Sequence, residues 1–412
     1  MSPGEIFREW RSNLAPRTVL LGALAGFGAM CVLGRYVARM DYHPGFVRFT
    51  QWDSPESKYY PTVNEMIAIV RHEIKPGQIL VIVGGNSVLR GVGQPPDRVW
   101  SKRLQETLGS GYYVVNFALN GSPPTNAGGV AAEALRKEFP RQIYIANLPP
   151  TQMGYPTGSE VYRFANWEAY YKGMLIDDPV RNAEIKYSHA IPEYYNREFA
   201  VGELKIREFF DSLFYFQDFW NCFTFTRMNL VWGAYFPGVT GFQDPIRFLD
   251  PRTVYPDPEP DSATWPMSAR FPEAGVPGEL DIVRGVSIYA FNKDAAGKWQ
   301  LYQPVWDEFE KESSAAFPPE LRKRTLILMG YACPFYLARL KPDELERNDL
   351  SFNYAAKEWE KGGFSSLIYG KDFVAEDFCD RAHMTWRGGQ KLAKVVAVKI
   401  REMSQKLGYT NP

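Results

Sequence analysis

The chain has 412 residues, of which 45% are hydrophobic, a composition that supplies a core of ordinary size for a globular protein. Its 47 Lys and Arg residues equal its 47 Asp and Glu residues, so no overall charge would recruit nucleic acid or an anionic polymer. The four cysteines form no CxxC pair and no zinc-ligand spacing, which argues against a disulfide framework and a structural metal.

The first element in the chain is an uncharged apolar stretch from Thr18 to Gly34. Arginines flank this stretch on both sides, namely Arg11, Arg17, Arg35 and Arg39. Because about 17–25 residues cross a hydrocarbon core, we predict a membrane-spanning helix at residues 18–38, after an N-terminal tail at residues 1–17. A cleaved signal peptide is the alternative, but Ala23-Leu24-Ala25 lies too early in the stretch to be its cleavage site. The charge difference across the helix is small, and we expect an uncleaved anchor with the main domain outside the cytoplasm.

Five short apolar runs follow a linker at residues 39–61, and each is continuous rather than alternating. These runs are Ile79–Gly84, Tyr112–Ala118, Gln142–Asn147, Thr325–Gly330 and Ser365–Tyr369. Helical patterns accompany them at Val63–Ile74, Asp97–Leu108, Asn126–Glu138, Pro342–Lys361 and Gly388–Leu407. Continuous apolar strands are covered on both faces, so the alternation predicts an α/β domain with a flavodoxin-like, three-layer parallel sheet. Ligands of such sheets bind at the carboxyl ends of the strands.

A long interruption divides this domain into a first part at residues 62–150 and a second part at residues 323–412. We interpret the intervening residues 151–322 as a helical or irregular insertion or cap, because an ordinary crossover is far shorter. Within it, Phe209–Phe225 has aromatic residues at helical spacing, which fits either a buried core helix or a surface for membrane or partner protein. The stretch from Phe236 to Gly285 is rich in Pro, Gly and Asp and is predicted to be irregular.

A serine follows the first predicted strand, in the sequence Gly84-Gly85-Asn86-Ser87. Glycines allow a tight turn at the end of a strand, so the Ser87 hydroxyl would face the crevice while nearby backbone N–H groups could hold an oxyanion. A lone pattern of this kind more often forms only a turn. Ser87 is therefore a candidate nucleophile that needs partners from elsewhere in the chain.

An aspartate and a histidine three residues apart, Asp380 and His383, follow the last predicted strand and precede the final helix. On a loop or a first helical turn, Asp380 can hold the imidazole in the tautomer that accepts a serine proton, and it can stabilise the imidazolium that forms. The remaining histidines lie in the linker, on a surface helix and in the insertion, at His43, His72 and His189. A purely structural pairing of Asp380 with His383 is the alternative.

A glycine, Gly121, follows the second predicted strand. Because glycine has no side chain, its backbone N–H can approach a ligand at the same edge of the sheet and donate to an oxyanion. The alternative is an ordinary turn between a strand and a helix.

Together these blocks resemble the SGNH (GDSL-like) hydrolase superfamily, which has a serine after strand one, a glycine after strand two and Asp-x-x-His before the last helix. The resemblance covers residues 75–150 and 320–410 and leaves the insertion unmatched. It implies the SGNH hydrolase fold, with Ser87 as nucleophile, His383 as base, Asp380 as the partner that orients it and Gly121 as an oxyanion-hole donor.

The chain departs from the family pattern in two blocks. Asn86 stands where the family has the aspartate of Gly-Asp-Ser, which leaves the nucleophile unaffected. The third block of the family is Gly-x-Asn, whereas this chain has Ile145-Ala146-Asn147 without the glycine. By resemblance, Asn147 is the second candidate for the oxyanion hole.

The resemblance implies a membrane-anchored serine esterase or O-acyltransferase that acts on acylated cell-surface carbohydrate and needs no metal or organic cofactor. The chain is similar to divergent bacterial members such as polysaccharide O-acetyltransferases, which implies a single-pass anchor in the inner membrane with the main domain periplasmic or extracytoplasmic. The alternative is a catalytically inactive subunit that stabilises a membrane protein complex, docking through its aromatic insertion. The altered third block favours that alternative, and the presence of all three triad residues favours the enzyme. No nucleic-acid partner is expected.

Overall fold

The computed structural model describes residues 16–40, 46–49, 62–120, 128–147, 213–215, 218–219, 222, 259–288, 291–301 and 319–409. Its helices are α1 (Pro16–Val37), α2 (Val63–Glu73), α3 (Ser87–Arg90), α4 (Trp100–Leu108), α5 (Gly128–Leu135), α6 (Met267–Arg270), α7 (Val276–Ile288), α8 (Pro319–Arg322), α9 (Pro334–Leu337), α10 (Pro342–Lys361) and α11 (Trp386–Lys406). Its strands are β1 (Ile79–Val83), β2 (Tyr112–Asn116), β3 (Gln142–Asn147), β4 (Phe291–Lys293), β5 (Trp299–Leu301), β6 (Thr325–Gly330) and β7 (Ser365–Tyr369).

Five of these strands form one parallel sheet in the order β2-β1-β3-β6-β7. Every residue of β1 and β3 is buried, as expected for central strands that are covered on both faces. The predicted α/β fold with a parallel sheet is confirmed, and each predicted strand lies within two residues of its expected bounds. Strands β4 and β5 form a separate antiparallel hairpin that the sequence pattern did not indicate.

Two hydrophobic cores lie on opposite faces of the sheet. Alternate residues of β1 enter different cores, Leu80 and Ile82 on one face and Ile79, Val81 and Val83 on the other. Residues of α2, α5 and α10 complete the first core, and residues of α4, α7 and α11 complete the second. The sheet is therefore covered by helices on both sides, and its strand ends remain the place for a site.

The helices begin where the sequence supplies caps. At the start of α2, the Thr62 hydroxyl accepts the Glu65 N–H at 3.1 Å and the Glu65 carboxylate accepts the Thr62 N–H at 2.9 Å, which forms a capping box. Helix α10 has Pro342 in its first turn, where the fixed φ of proline is already helical. Lys361 lies in its last turn, where a positive charge interacts favourably with the helix dipole. Its predicted bounds are confirmed.

Helix α1 is long and apolar enough to cross a membrane, and it alone meets that test among the described residues. The span Arg17–Val37 has a mean hydropathy of 1.6. A core helix of a soluble protein could pass the same test, but only 6% of the apolar window of α1 is buried. Helix α1 is thus a candidate membrane span.

The stretch expected to be irregular ends in a helix instead, α7. Val276, Leu280 and Val283 recur on one face at helical spacing and are buried against the second core. The prediction was wrong because it was made from the overall content of Pro, Gly and Asp, whereas a proline such as Pro277 is tolerated in the first turn of a helix. The N-terminal residues 1–15 and most of the linker, of the predicted insertion and of its aromatic stretch lie outside the described residues.

Candidate functional site

Ser87 is the first residue of α3, directly beyond the carboxyl end of β1. The turn before it needs a glycine, because Gly85 has a φ of +90° and a Cβ there would lie 2.2 Å from the Asn147 Oδ1 atom. The Asn86 side chain then caps α3 by accepting the Val88 N–H at 3.0 Å. This arrangement leaves the Ser87 side chain partly exposed at the edge of the sheet.

Asp380 and His383 lie in a tight turn before α11. One carboxylate oxygen of Asp380 accepts the backbone N–H groups of Ala382 and His383, both at 2.7 Å. The His383 carbonyl in turn accepts the Cys379 N–H at 2.9 Å, which closes the turn. The backbone therefore fixes the direction in which the Asp380 carboxylate faces the ring of His383.

The structure brings the three predicted residues together in a hydrogen-bonded row. The second oxygen of Asp380 lies 2.6 Å from His383 Nδ1, and His383 Nε2 lies 2.7 Å from Ser87 Oγ. A ring that donates from Nδ1 to the carboxylate has an unprotonated Nε2, which can accept the serine proton. The candidate nucleophile, base and orienting carboxylate are thus all within hydrogen-bonding distance.

The electrostatics of the row favour an ionised aspartate. Burial raises the pKa of Asp380. The hydrogen bonds from the His383 ring and from the two backbone N–H groups lower this pKa by a larger amount, so the pKa lies below its ordinary value. Asp380 is therefore a carboxylate at neutral pH and can stabilise a positive charge on the His383 ring.

Asn147 lies at the end of β3 and is only 3% exposed. Its side-chain N–H donates to the Asn86 Oδ1 at 2.7 Å, and its Oδ1 accepts the Asn86 backbone N–H at 3.1 Å. Asn147 thus holds the turn that presents Ser87, a contact that the sequence pattern did not predict. Gly121, the other candidate for the oxyanion hole, lies outside the described residues.

A pocket opens beside the triad, at the carboxyl ends of β3, β6 and β7. Its wall includes Val88, which follows Ser87, together with Arg381 and Ala382, which lie between the triad aspartate and histidine. The pocket has a volume of about 590 Å³, counted with the open space at its mouth. It adjoins the candidate nucleophile at the sheet edge where ligands of such folds bind.

Two buried arginines support the turn after Ser87, and sequence patterns did not reveal them. Arg48, which is fully buried, donates to the backbone carbonyls of Arg90, Gly91 and Gln94 at 3.0, 2.6 and 2.6 Å. Arg90 donates to the Phe49 carbonyl and forms a 2.8 Å ion pair with Glu259. These contacts satisfy the carbonyls at the end of α3, which a four-residue helix leaves unpaired.

Gln94 joins the serine segment to the histidine segment. Its Nε2 donates to the Met384 carbonyl, directly after His383, at 3.1 Å, and its Oε1 accepts the Trp100 N–H at 2.8 Å. The side chain is fully buried. Gln94 is therefore a positioning residue that fixes the distance between the two segments.

Residues 259–288, within the predicted insertion, cover both segments of the site. Ser262 donates to the Gly93 carbonyl at 2.6 Å, and Arg270 donates to the Phe378 carbonyl at 3.0 Å. Arg381 forms a 2.9 Å ion pair with Glu279 of α7. The described part of the chain contains no cluster of three or more His, Cys, Asp or Glu that could hold a metal ion.

Comparison of the sequence with models of known protein families gives no match. A search of curated proteins also finds no relative.

Proposed function

We propose that this chain is a serine-dependent esterase or O-acyltransferase of the SGNH type. The observation that carries the proposal is the row in which Ser87 Oγ lies 2.7 Å from His383 Nε2 and His383 Nδ1 lies 2.6 Å from Asp380. A non-catalytic subunit has no need to keep this geometry, so the intact row favours the enzyme. The order of the three segments along a parallel sheet supports the SGNH assignment.

The chemistry would begin with acyl transfer to the serine. His383 Nε2 takes the proton of Ser87 as Oγ attacks the ester carbonyl, and Asp380 stabilises the resulting imidazolium. The tetrahedral intermediate then collapses, the C–O bond to the alcohol breaks, and His383 gives its proton to the leaving oxygen. His383 then deprotonates water or a sugar hydroxyl as that oxygen attacks the carbonyl of the acyl-serine. The bond between the carbonyl carbon and Ser87 Oγ breaks, and His383 returns the proton to Oγ, which regenerates the serine.

The oxyanion of the intermediate needs hydrogen-bond donors near Ser87. The Ser87 backbone N–H donates to no described residue, which makes it the first candidate. The second side-chain N–H of Asn147 and the Gly121 N–H are the further candidates that the resemblance supplies. Asn147 already forms two hydrogen bonds to Asn86. We therefore propose that its main role is to hold the turn and that only its remaining side-chain N–H contributes to the oxyanion hole.

The substrate and location follow from the resemblance and from α1. We propose an acylated cell-surface carbohydrate as substrate and a single-pass anchor in the bacterial inner membrane, with the main domain in the periplasm. The support for the anchor is the length and the exposure of α1.

The proposed function is tested by labelling the full-length protein with a fluorophosphonate probe and locating the adduct by mass spectrometry. We expect the adduct on Ser87, no adduct in Ser87→Ala and strongly reduced labelling in His383→Ala. Ser110→Ala is the matched control, because Ser110 is exposed and remote from the row. Absence of labelling in well-folded wild-type protein over a range of pH would refute the enzyme and favour the non-catalytic subunit.

A further inference from the structure

Asn348 is a buried polar residue in the wall of this pocket. It lies in α10, is only 4% exposed, and lines the pocket beside the triad. No described residue accepts from or donates to its side-chain amide. Nearly all buried amides in native proteins are hydrogen-bonded, so an unpaired one that faces a pocket indicates a group kept free for a ligand.

Tyr369, at the end of β7, is a second such residue in the same wall. It is 7% exposed, and its hydroxyl has no hydrogen-bond partner among the described residues. A Cβ at Gly330 would lie 2.5 Å from that hydroxyl oxygen, so the glycine of β6 keeps the space that the tyrosine occupies. Two uncommitted polar groups from different elements thus line one cavity.

The other polar groups of the wall already have partners. Asn147 is bonded to Asn86, the Tyr331 hydroxyl donates to Asp349 at 2.7 Å, and Arg381 is paired with Glu279 at 2.9 Å. The rest of the described wall is apolar or glycine, formed by Val88, Val283, Gly330, Ala332, Phe352 and Ala382. The two free groups are therefore an amide and a phenol, both neutral, in apolar surroundings.

This chemistry selects a neutral ligand that carries a hydroxyl. An amide and a phenol each donate and accept, which complements a hydroxyl, and the apolar wall packs against the carbon skeleton. An anionic group would lose its hydration here, since the one cation of the described wall is neutralised by Glu279. We propose that Asn348 and Tyr369 form a specificity subsite for a hydroxyl-bearing part of the substrate, an inference that rests on the proposed esterase or acyltransferase function.

That hydroxyl belongs either to a sugar on the alcohol side of the ester or to a hydroxylated acyl chain. The two are separated by matched substrate pairs in which one member lacks the hydroxyl. On the acyl side the pair is p-nitrophenyl 3-hydroxybutyrate and p-nitrophenyl butyrate. On the alcohol side the pair is methyl 6-O-acetylglucoside and tetrahydropyran-2-ylmethyl acetate, which keeps the ring but has no hydroxyl, measured by acetate release.

We expect the full-length protein to prefer the hydroxylated member of one pair by about tenfold or more in kcat/KM, the discrimination typical of a hydrogen bond to a buried group. Asn348→Leu and Tyr369→Phe should each reduce that preference severalfold. Asn353→Leu is the matched control, since Asn353 is an exposed asparagine of the same helix, and it should keep the preference. The pair that responds identifies the source of the hydroxyl.

Labelling of wild-type Ser87 separates the two ways in which this inference could fail. If Ser87 is labelled but neither pair shows a preference, or the preference survives in both Asn348→Leu and Tyr369→Phe, the subsite is refuted and the enzyme stands. If wild-type Ser87 is not labelled, the enzyme and the subsite are refuted together. Tyr369→Phe removes a single oxygen atom, so it decides the question if Asn348→Leu does not fold.

Discussion

Gly85→Ala tests whether the turn before Ser87 is held by Asn147. The substitution places a Cβ 2.2 Å from the Asn147 Oδ1 at a φ of +90°. The strained backbone costs about 1–3 kcal/mol. Moving the Asn147 side chain also breaks its two hydrogen bonds to Asn86, at about 0.5–1.5 kcal/mol each. We therefore expect the free energy of unfolding to fall by about 2–6 kcal/mol.

The same reasoning predicts that Gly85→Ala and Asn147→Ala are not additive. Asn147→Ala removes the same two hydrogen bonds, so in its presence Gly85→Ala should cost only the backbone strain. The coupling energy of the double mutant should be about −1 to −3 kcal/mol. Urea unfolding of the full-length chain in mild detergent, followed by tryptophan fluorescence, gives the free energy of unfolding of wild type, of both single variants and of the double variant. Additive losses would show that the side chain of Asn147 does not hold the turn.

The remaining predictions concern the triad and its support. Asp380→Asn should lower kcat for ester hydrolysis by about 10³–10⁴, because an amide facing Nδ1 favours the wrong His383 tautomer; wild-type kinetics with p-nitrophenyl acetate are the reference. Because the pKa of Asp380 is lowered in the folded state, its stabilising contribution is present above about pH 4 and is lost as the pH falls through the folded-state pKa. We therefore expect the free energies of unfolding of wild type and Asp380→Asn, measured with urea from pH 3 to 7, to converge as the pH falls. A difference between them that does not change with pH would contradict this. Gln94→Leu should lower the free energy of unfolding by about 2–4 kcal/mol, because it leaves the Trp100 N–H and the Met384 carbonyl unpaired; an unchanged urea midpoint would contradict this.

The sheet was predictable because its central strands are buried on both faces. A strand such as β1, with all five residues buried, must be continuously apolar, and that pattern is local and visible in the sequence. Helix α7 was missed because its apolar spacing begins beside Pro277 and Gly278, which suggest a turn when they are read without the core that α7 covers. The helix forms because its apolar face packs against the second core, and this long-range contact outweighs the local preference of Pro277 and Gly278 for a turn.

The juxtaposition of the three candidate triad residues was predictable for a related reason. Ser87, Asp380 and His383 each follow a predicted strand, and the carboxyl ends of parallel strands meet at one edge of the sheet. The supporting residues follow no such rule. Arg48 binds carbonyls 42 to 46 residues away and Gln94 binds one 290 residues away, so neither contact leaves a local pattern. Asn348 lies within an ordinary amphipathic helix and is distinguished only by the pocket it faces.

These supporting contacts explain how a glycine-containing turn can hold Ser87 in one position. Gly84-Gly85 allows the turn but does not fix it, and a four-residue helix has almost no stability of its own. Its conformation is therefore imposed from outside, by Asn147 at its start and by Arg48 at its end. Catalysis by an oriented serine requires such preorganisation, because a misplaced hydroxyl loses the transition-state contacts that lower the barrier. Arg48 is buried at the cost of its hydration and binds three backbone carbonyls, as expected if the geometry of this turn serves the proposed catalysis.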